Sequence, residues 1–234
     1  MRGWRAGAIA LPLVSLLACA TLLRWRPREG CPVVPVSSSE LPENADLRAR
    51  MQIRSGETGI GLEVVAHVES GELVVIGLSP YGVRLFAVHQ REREFEVETA
   101  GSSARLRVLA YWVMDALHRA YWVAPASGRP GGAPQPGFVW AGERVLESER
   151  GGQRRRVFRR AGSDSAVPGV TIDYSRPPCP GRAVIDNRWC GYEAVMAILG
   201  GQTGQDRQHG QDRDCGPGER FTTRNGARSR GSGW

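Results

Sequence analysis

Every second position from Ile60 to Val68 is apolar (Ile60, Leu62, Val64, Ala66, Val68), the two-residue period of a strand with one face buried. Ser70-Gly71 turns the chain into a second apolar run, Leu73–Leu78, and Ser79-Pro80-Tyr81-Gly82 turns it again into Val83–His89. Phe95-Glu96-Val97-Glu98 alternates once more. Turn signals recurring about every ten residues predict an antiparallel meander. The period then changes. Behind a capping serine at 102 or 103, Leu106, Leu109, Val113, Leu117 and Ala120 recur at helical steps, and Tyr111, Trp112, Met114, Tyr121 and Trp122 widen the apolar surface. A helix covered on more than one side is expected. Glycine and proline punctuate 125–137 as a loop. Strands are predicted at Phe138–Trp140, Arg144–Glu147, Arg155–Arg159, Val170–Tyr174, Ala183–Asp186 and Tyr192–Leu199, with Gly151-Gly152 as a hairpin turn. The pattern predicts a mainly β (α+β) domain over 47–199.

Both ends depart from this pattern. Residues 200–234 hold almost no aliphatic side chains and repeat Gly-Gln-Asp-Arg at 204–207 and 210–213. Such a tail buries too little apolar area to offset the entropy of ordering it, and disorder is expected. At the other end Arg2 and Arg5 precede an uncharged run from Ala6 to Ala18, followed by Cys19. A basic start, a short apolar core and small residues before a cleavage point mark a signal peptide over 1–18. An uncleaved span over 6–23 and plain secretion are the alternatives. Residues 19–46, rich in proline, serine and charge, read as a tether.

Charge changes the picture less than its total suggests. The formal net charge is +7, but residues 1–18, 19–30 and 200–234 each carry +2, leaving +1 for the body. Basicity confined to the ends does not make a phosphate-binding face, so no nucleic-acid partner is expected. Every basic residue other than histidine is arginine. Besides Cys19, cysteines stand at 31, 179, 190 and 215. No Cys-x-x-Cys pair exists. In an oxidising compartment Cys179–Cys190 is the disulfide expected first, although spacing alone does not fix connectivity.

Small residues leading into Cys19 resemble the lipobox of bacterial lipoproteins, which implies acylation of Cys19 and cleavage before it. Ala20 rather than aspartate after it implies sorting to the outer membrane, with the body in the periplasm. The run Val74–Phe86, the stretch Pro180-Gly181-Arg182 and Gly191-Tyr192-Glu193 resemble an uncharacterised bacterial lipoprotein family, distantly similar to LolB-like outer-membrane lipoprotein receptors. That resemblance implies a half-open antiparallel barrel, a strongly curved sheet with a helix in its concave face and a cavity for acyl chains between them. It places Leu78, Leu85, Trp112, Val113 and Leu117 in the cavity lining. Pro80 and Tyr81 take the place of a protruding turn that contacts membrane or cargo. The cargo implied is a lipid, a polyene lipid or a lipoprotein, and a periplasmic carrier protein is an implied partner. A monomer is expected.

Catalytic chemistry finds little footing. The histidines at 67, 89, 118 and 209 form no metal-ligand spacing, no Gly-x-Ser-x-Gly elbow exists, and neither metal nor cofactor is expected. His118, on the apolar helix, reads as a packing histidine ahead of a general base. Glu92, Glu94, Glu96 and Glu98 read as a solvated strand face with Phe95 and Val97 inward. Arg154-Arg155-Arg156 and Arg159-Arg160 offer contacts to anionic headgroups, weighed against a plain solvated hairpin. The expected function is therefore non-enzymatic: binding or transfer of a hydrophobic acylated cargo. The alternative is an assembly lipoprotein that docks another envelope protein and has no ligand cavity.

Overall fold

The computed structural model describes residues 31–200 apart from 32, 34, 124–136, 152, 163–166 and 176–180. Cys19, Cys179 and the tail beyond Gly200 lie outside the described residues. Eleven strands form one antiparallel sheet in the order β5-β4-β3-β2-β1-β11-β10-β9-β8-β7-β6. They are β1 (Asp46–Ser55), β2 (Thr58–Glu69), β3 (Glu72–Leu78), β4 (Arg84–Arg91), β5 (Glu94–Thr99), β6 (Phe138–Trp140), β7 (Glu143–Arg150), β8 (Gln153–Arg160), β9 (Val170–Tyr174), β10 (Arg182–Asn187) and β11 (Tyr192–Gly200). Among the described residues one α-helix is present, α1 (Ala104–Leu117), which runs on into a π-helical turn over His118–Trp122. Ser103 caps α1, accepting from the Leu106 N–H, as the sequence predicts.

The sheet is strongly curved, and the contacts of α1 show why. On one side Tyr111 packs on Phe95 of β5, and His118 bonds Gln90 of β4. On the other side the same helix and its π turn bond Glu143 of β7, Arg156 of β8, Asn187 of β10 and Tyr192 of β11. In a flat sheet β4 and β7 would lie about 35–40 Å apart at roughly 4.8 Å per strand. A helix about 10 Å across reaches both only if the sheet bends around it. β5 and β6 end the strand order without pairing to each other, so the sheet stays open there.

The inward faces are the alternating apolar positions. Leu62, Val64, Ala66 and Val68 of β2 are buried, and Glu94, Glu96 and Glu98 of β5 face out with Phe95 and Val97 inward. β1 is a strand that the sequence reading passed over. Leu47, Ala49, Met51 and Ile53 are buried and alternate with exposed polar side chains, yet the arginine-rich stretch next to the tether masked the period. Close packing also fixes glycines. A Cβ on Gly77 would stand 2.3 Å from the Phe86 ring, so only glycine lets that ring lie across β3. Ser70-Gly71 makes the predicted hairpin turn, with both residues at positive φ.

Two expectations at the N-terminal side need correction. The tether does not stay free to residue 46, because Val36, Leu41 and Ala45 are buried in the core. Val36 N–H donates to His118 Nδ1, and its carbonyl accepts from Gln90 Nε2. Ser38 bonds both the Glu92 backbone and the Gly71 carbonyl. These contacts hold Glu92 at a φ of 52°, a left-handed conformation uncommon outside glycine. The second correction is the disulfide: Cys190 pairs with Cys31, not Cys179, at a Cα–Cα distance of 5.0 Å. Residues 31–41 thus form a strap fastened at Cys190, in the β10–β11 turn, and again at the β2–β3 and β4–β5 turns at the opposite end of the strands. Spacing along the chain gave no hint of a bond across 159 residues.

Cys31→Ser should lower unfolding stability by about 2–5 kcal/mol, the range for a native disulfide that closes a long loop. Urea denaturation measures the loss, and peptide mapping under non-reducing conditions should recover the Cys31–Cys190 pair.

Candidate functional site

Two regions invite a functional reading, the space enclosed by the sheet and the β3–β4 turn. Inside the sheet, one half of the α1 contact is apolar and the other carries buried charge. Asp115 and Arg119, one helical turn apart, are 1% exposed each. Arg119 donates from Nε to Asp115 at 2.8 Å and from its two terminal nitrogens to Glu143 at 2.5 and 3.0 Å. Its guanidinium lies among the rings of Phe158, Trp140 and Trp189. The second Asp115 oxygen accepts from Tyr192 Oη at 2.7 Å and Asn187 Nδ2 at 2.8 Å. Burial alone would lower the Arg119 pKa, but Asp115 and Glu143 more than reverse it, so the group stays charged. Beside this chain Arg156 pairs with Glu147 and donates to the Arg119 carbonyl, while Tyr174 donates to the Ala120 carbonyl. The Arg119 and Ala120 carbonyls of the π turn are thereby satisfied.

His118 is the buried counterpart on the other side. Nδ1 accepts from Val36 N–H and Nε2 donates to Gln90 Oε1, so both ring nitrogens are engaged within the protein. Burial pushes its pKa down to about 3. Among the described residues no group of three His, Cys, Asp or Glu is placed to hold a metal, and no helix is long and apolar enough to cross a membrane.

The residues expected in a cavity lining are distributed differently. Trp112, Val113 and Leu117 are 1%, 0% and 0% exposed, and Trp112 stacks on Tyr192 with ring centroids 5.1 Å apart. All three belong to the buried hydrophobic core. Leu78 follows inward-facing Gly77 on β3 and pairs with Glu63 and Arg84, which puts it on the outer face. Leu85 is half-buried against the core.

The β3–β4 turn holds the opposite extreme. Tyr81 is 93% exposed and Val83 61%. Their display is built in: Ser79 N–H donates to the Val83 carbonyl at 2.8 Å, and Gly82 N–H to the Ser79 carbonyl at 2.9 Å. Ser79 Oγ accepts from the N–H groups of Tyr81 and Val83. Pro80 is exposed beside them. A five-residue turn tied by four such bonds shows an aromatic ring and a valine to solvent with little conformational freedom left to lose. The sequence reading found Pro80 and Tyr81 but missed Val83, which it placed inside the following strand. It also missed Asp115 and Arg119, whose signal was a pair of opposite charges one turn apart within an otherwise apolar helix.

A wide antiparallel sheet bent around one helix, with a shaped apolar turn at its end, is the class of protein defined so far. Residues 46–196 match the family described as Protein of unknown function (DUF3261), and the chain belongs to that family. No curated protein matches it. Among solved structures it is similar to an outer membrane lipoprotein-sorting protein domain from Vibrio parahaemolyticus (9% identity, 70% of this chain and 88% of that one, TM-score 0.29). It is also similar to a DUF1329 family protein from Desulfovibrio piger ATCC 29098 (10% identity, 67% and 84%, TM-score 0.24). Both scores are too low for either structure to bear on function.

Arg119→Met should cost about 3–5 kcal/mol of stability, because it leaves two carboxylates buried and unpaired. Arg155→Met removes an exposed pair with Asp173 and should cost less than about 1 kcal/mol. Urea titrations of the two variants make the comparison. His118 gives a pH signature: its folded pKa lies below the unfolded 6.5, so its contribution is present above pH 6.5 and is lost as pH falls toward 3. The loss should approach about 1.4 kcal/mol per pH unit. Between pH 6.5 and 5 the slope should flatten in His118→Gln. His67, raised by its bond to Asp46, acts in the opposite sense but is exposed.

Proposed function

We propose that this protein is an envelope lipoprotein, acylated on Cys19 after loss of residues 1–18, held at the outer membrane and facing the periplasm. It works without catalysis, by contact with a hydrophobic acylated cargo, a lipid or a lipoprotein. The observation that carries this reading is the β3–β4 turn, which presents Tyr81 and Val83 to solvent on a scaffold of backbone and Ser79 bonds. A large exposed aromatic beside an exposed aliphatic, fixed in place, suits an interface that is apolar on one side and wet on the other. Half-buried Leu85 follows the turn, its carbonyl accepting from the Ala100 N–H. Cargo contact is therefore proposed at this rim, and not beneath Trp112, Val113 and Leu117, which α1 buries against the sheet.

A second reading has its own observation. The same full burial of Trp112, Val113 and Leu117 favours an assembly lipoprotein that docks another envelope protein and carries no ligand inside. The two readings differ at Tyr81. With full-length protein and a fluorescent fatty acid, Tyr81→Glu should weaken binding about tenfold, the loss of one well-buried aromatic contact, with thermal unfolding unchanged. Binding that is absent in the wild type, or equal in both proteins, would reject the cargo reading. Mass spectrometry of lipids copurified with the envelope protein reports the same distinction independently.

A further inference from the structure

The notable feature is where the arginines of the β7–β8 hairpin find partners and where they do not. Arg154 and Arg156 pair with Glu147, and Arg155 pairs with Asp173. Among the described residues, Arg144, Arg159 and Arg160 have no carboxylate partner; Arg160 stacks on Trp189 instead. Arg144 and Arg159 are direct cross-strand partners, which sets like charges opposite each other on the outer face. Such an arrangement is destabilising when nothing neutralises it. Arg159 Nε is in addition buried with no hydrogen-bond partner. A buried donor without a partner, beside a second arginine with no carboxylate, favours an anion with several acceptor oxygens. Val139, opposite Arg144 on β6, is 68% exposed and adds an apolar flank.

Position in the sheet says which anion. The start of β7 and the end of β8 lie at the same end of the strands as the β10–β11 turn, because Asn187 pairs with Val170 and Arg188 N–H donates to the Gly169 carbonyl. The β10–β11 turn holds Cys190, and therefore Cys31. The Tyr81 turn belongs to this end too: Ser55, next to the β1–β2 turn, bonds the Gly191 carbonyl, and β3 ends alongside the first half of β2. One end of the sheet thus carries Tyr81 on one flank, the arginine pair on the other and the chain's entry point between them. Only eleven residues lie between Cys19 and Cys31. We infer that Arg144 and Arg159 form a binding site for headgroup phosphates that seats this end of the sheet on an anionic leaflet. The inference rests on the proposed anchorage for its orientation and deepens it.

Arginine modification by phenylglyoxal, read by peptide mass spectrometry on the full-length protein, tests the site. Arg150 is the internal control, exposed at the far end of β7 and about 20 Å from Arg144 at 3.4 Å per residue. On phosphatidylglycerol-containing vesicles, Arg144 and Arg159 should react at least about fivefold more slowly than on pure phosphatidylcholine vesicles, with Arg150 unchanged. Equal rates on the two compositions would overturn the site. Equal protection by inorganic phosphate in detergent, without a bilayer, would overturn the membrane assignment in favour of a soluble anion. Flotation with pure phosphatidylcholine vesicles reports the anchor separately. Protein that fails to float there, yet is protected on phosphatidylglycerol, refutes the acyl anchor and leaves the headgroup site standing.

Discussion

The structure depends on the buried charge chain Asp115–Arg119–Glu143. An apolar helix lying in a greasy trough has little to fix its rotation or its register along the groove, because apolar contact is non-directional. Four directional bonds from helix to sheet remove that freedom: two from Arg119 to Glu143, then those of Tyr192 and Asn187 to Asp115, with three rings boxing in the cation. Moving the charges out of water costs several kcal/mol per ion, so this chain is better understood as a device for uniqueness than as a source of stability. It also ties β7, β10 and β11 to the same turn of helix, and with Gln90 on His118 opposite, it keeps both wings of the sheet folded inward.

The strap complements that arrangement. Its bonds to His118, Gln90, Glu92 and Gly71 close one end of the trough, and its disulfide fastens it at the other. A segment that would otherwise hang as spacer becomes part of the body, which gives the molecule a definite underside. Tyr81, Cys190 and the Arg144–Arg159 pair share that side because the strands that carry them all turn there. The interior thus holds that end of the sheet in shape.

Much of the fold was legible because strand and helix periods are written directly in side chains that must face inward. Phe95 and Val97 against Glu94, Glu96 and Glu98 is one instance, and Ser103 before the apolar helix is another. β1 escaped because arginines on its outer face made a strand look like linker, although Leu47, Ala49, Met51 and Ile53 kept the period. The Cys31–Cys190 bond was illegible in principle, since it depends on where the strap is laid across the finished sheet. Leu78 was misplaced although the alternation of Leu73, Val75 and Gly77 inward puts it on the outer face. The unpaired arginines could not be separated from the paired ones by eye, because Glu147 and Asp173 choose their partners across strands and not along the chain.

The adjacency of β1 and β11 has a consequence for biosynthesis. A ribosome delivers the first strand long before its neighbour, so one edge of β1 stays bare until the last strand arrives. Cys31 waits through the same interval, and Cys179 emerges ahead of Cys190. The Cys31–Cys190 bond can therefore close only once the β10–β11 turn exists, after all but the last strand of the sheet has been synthesised.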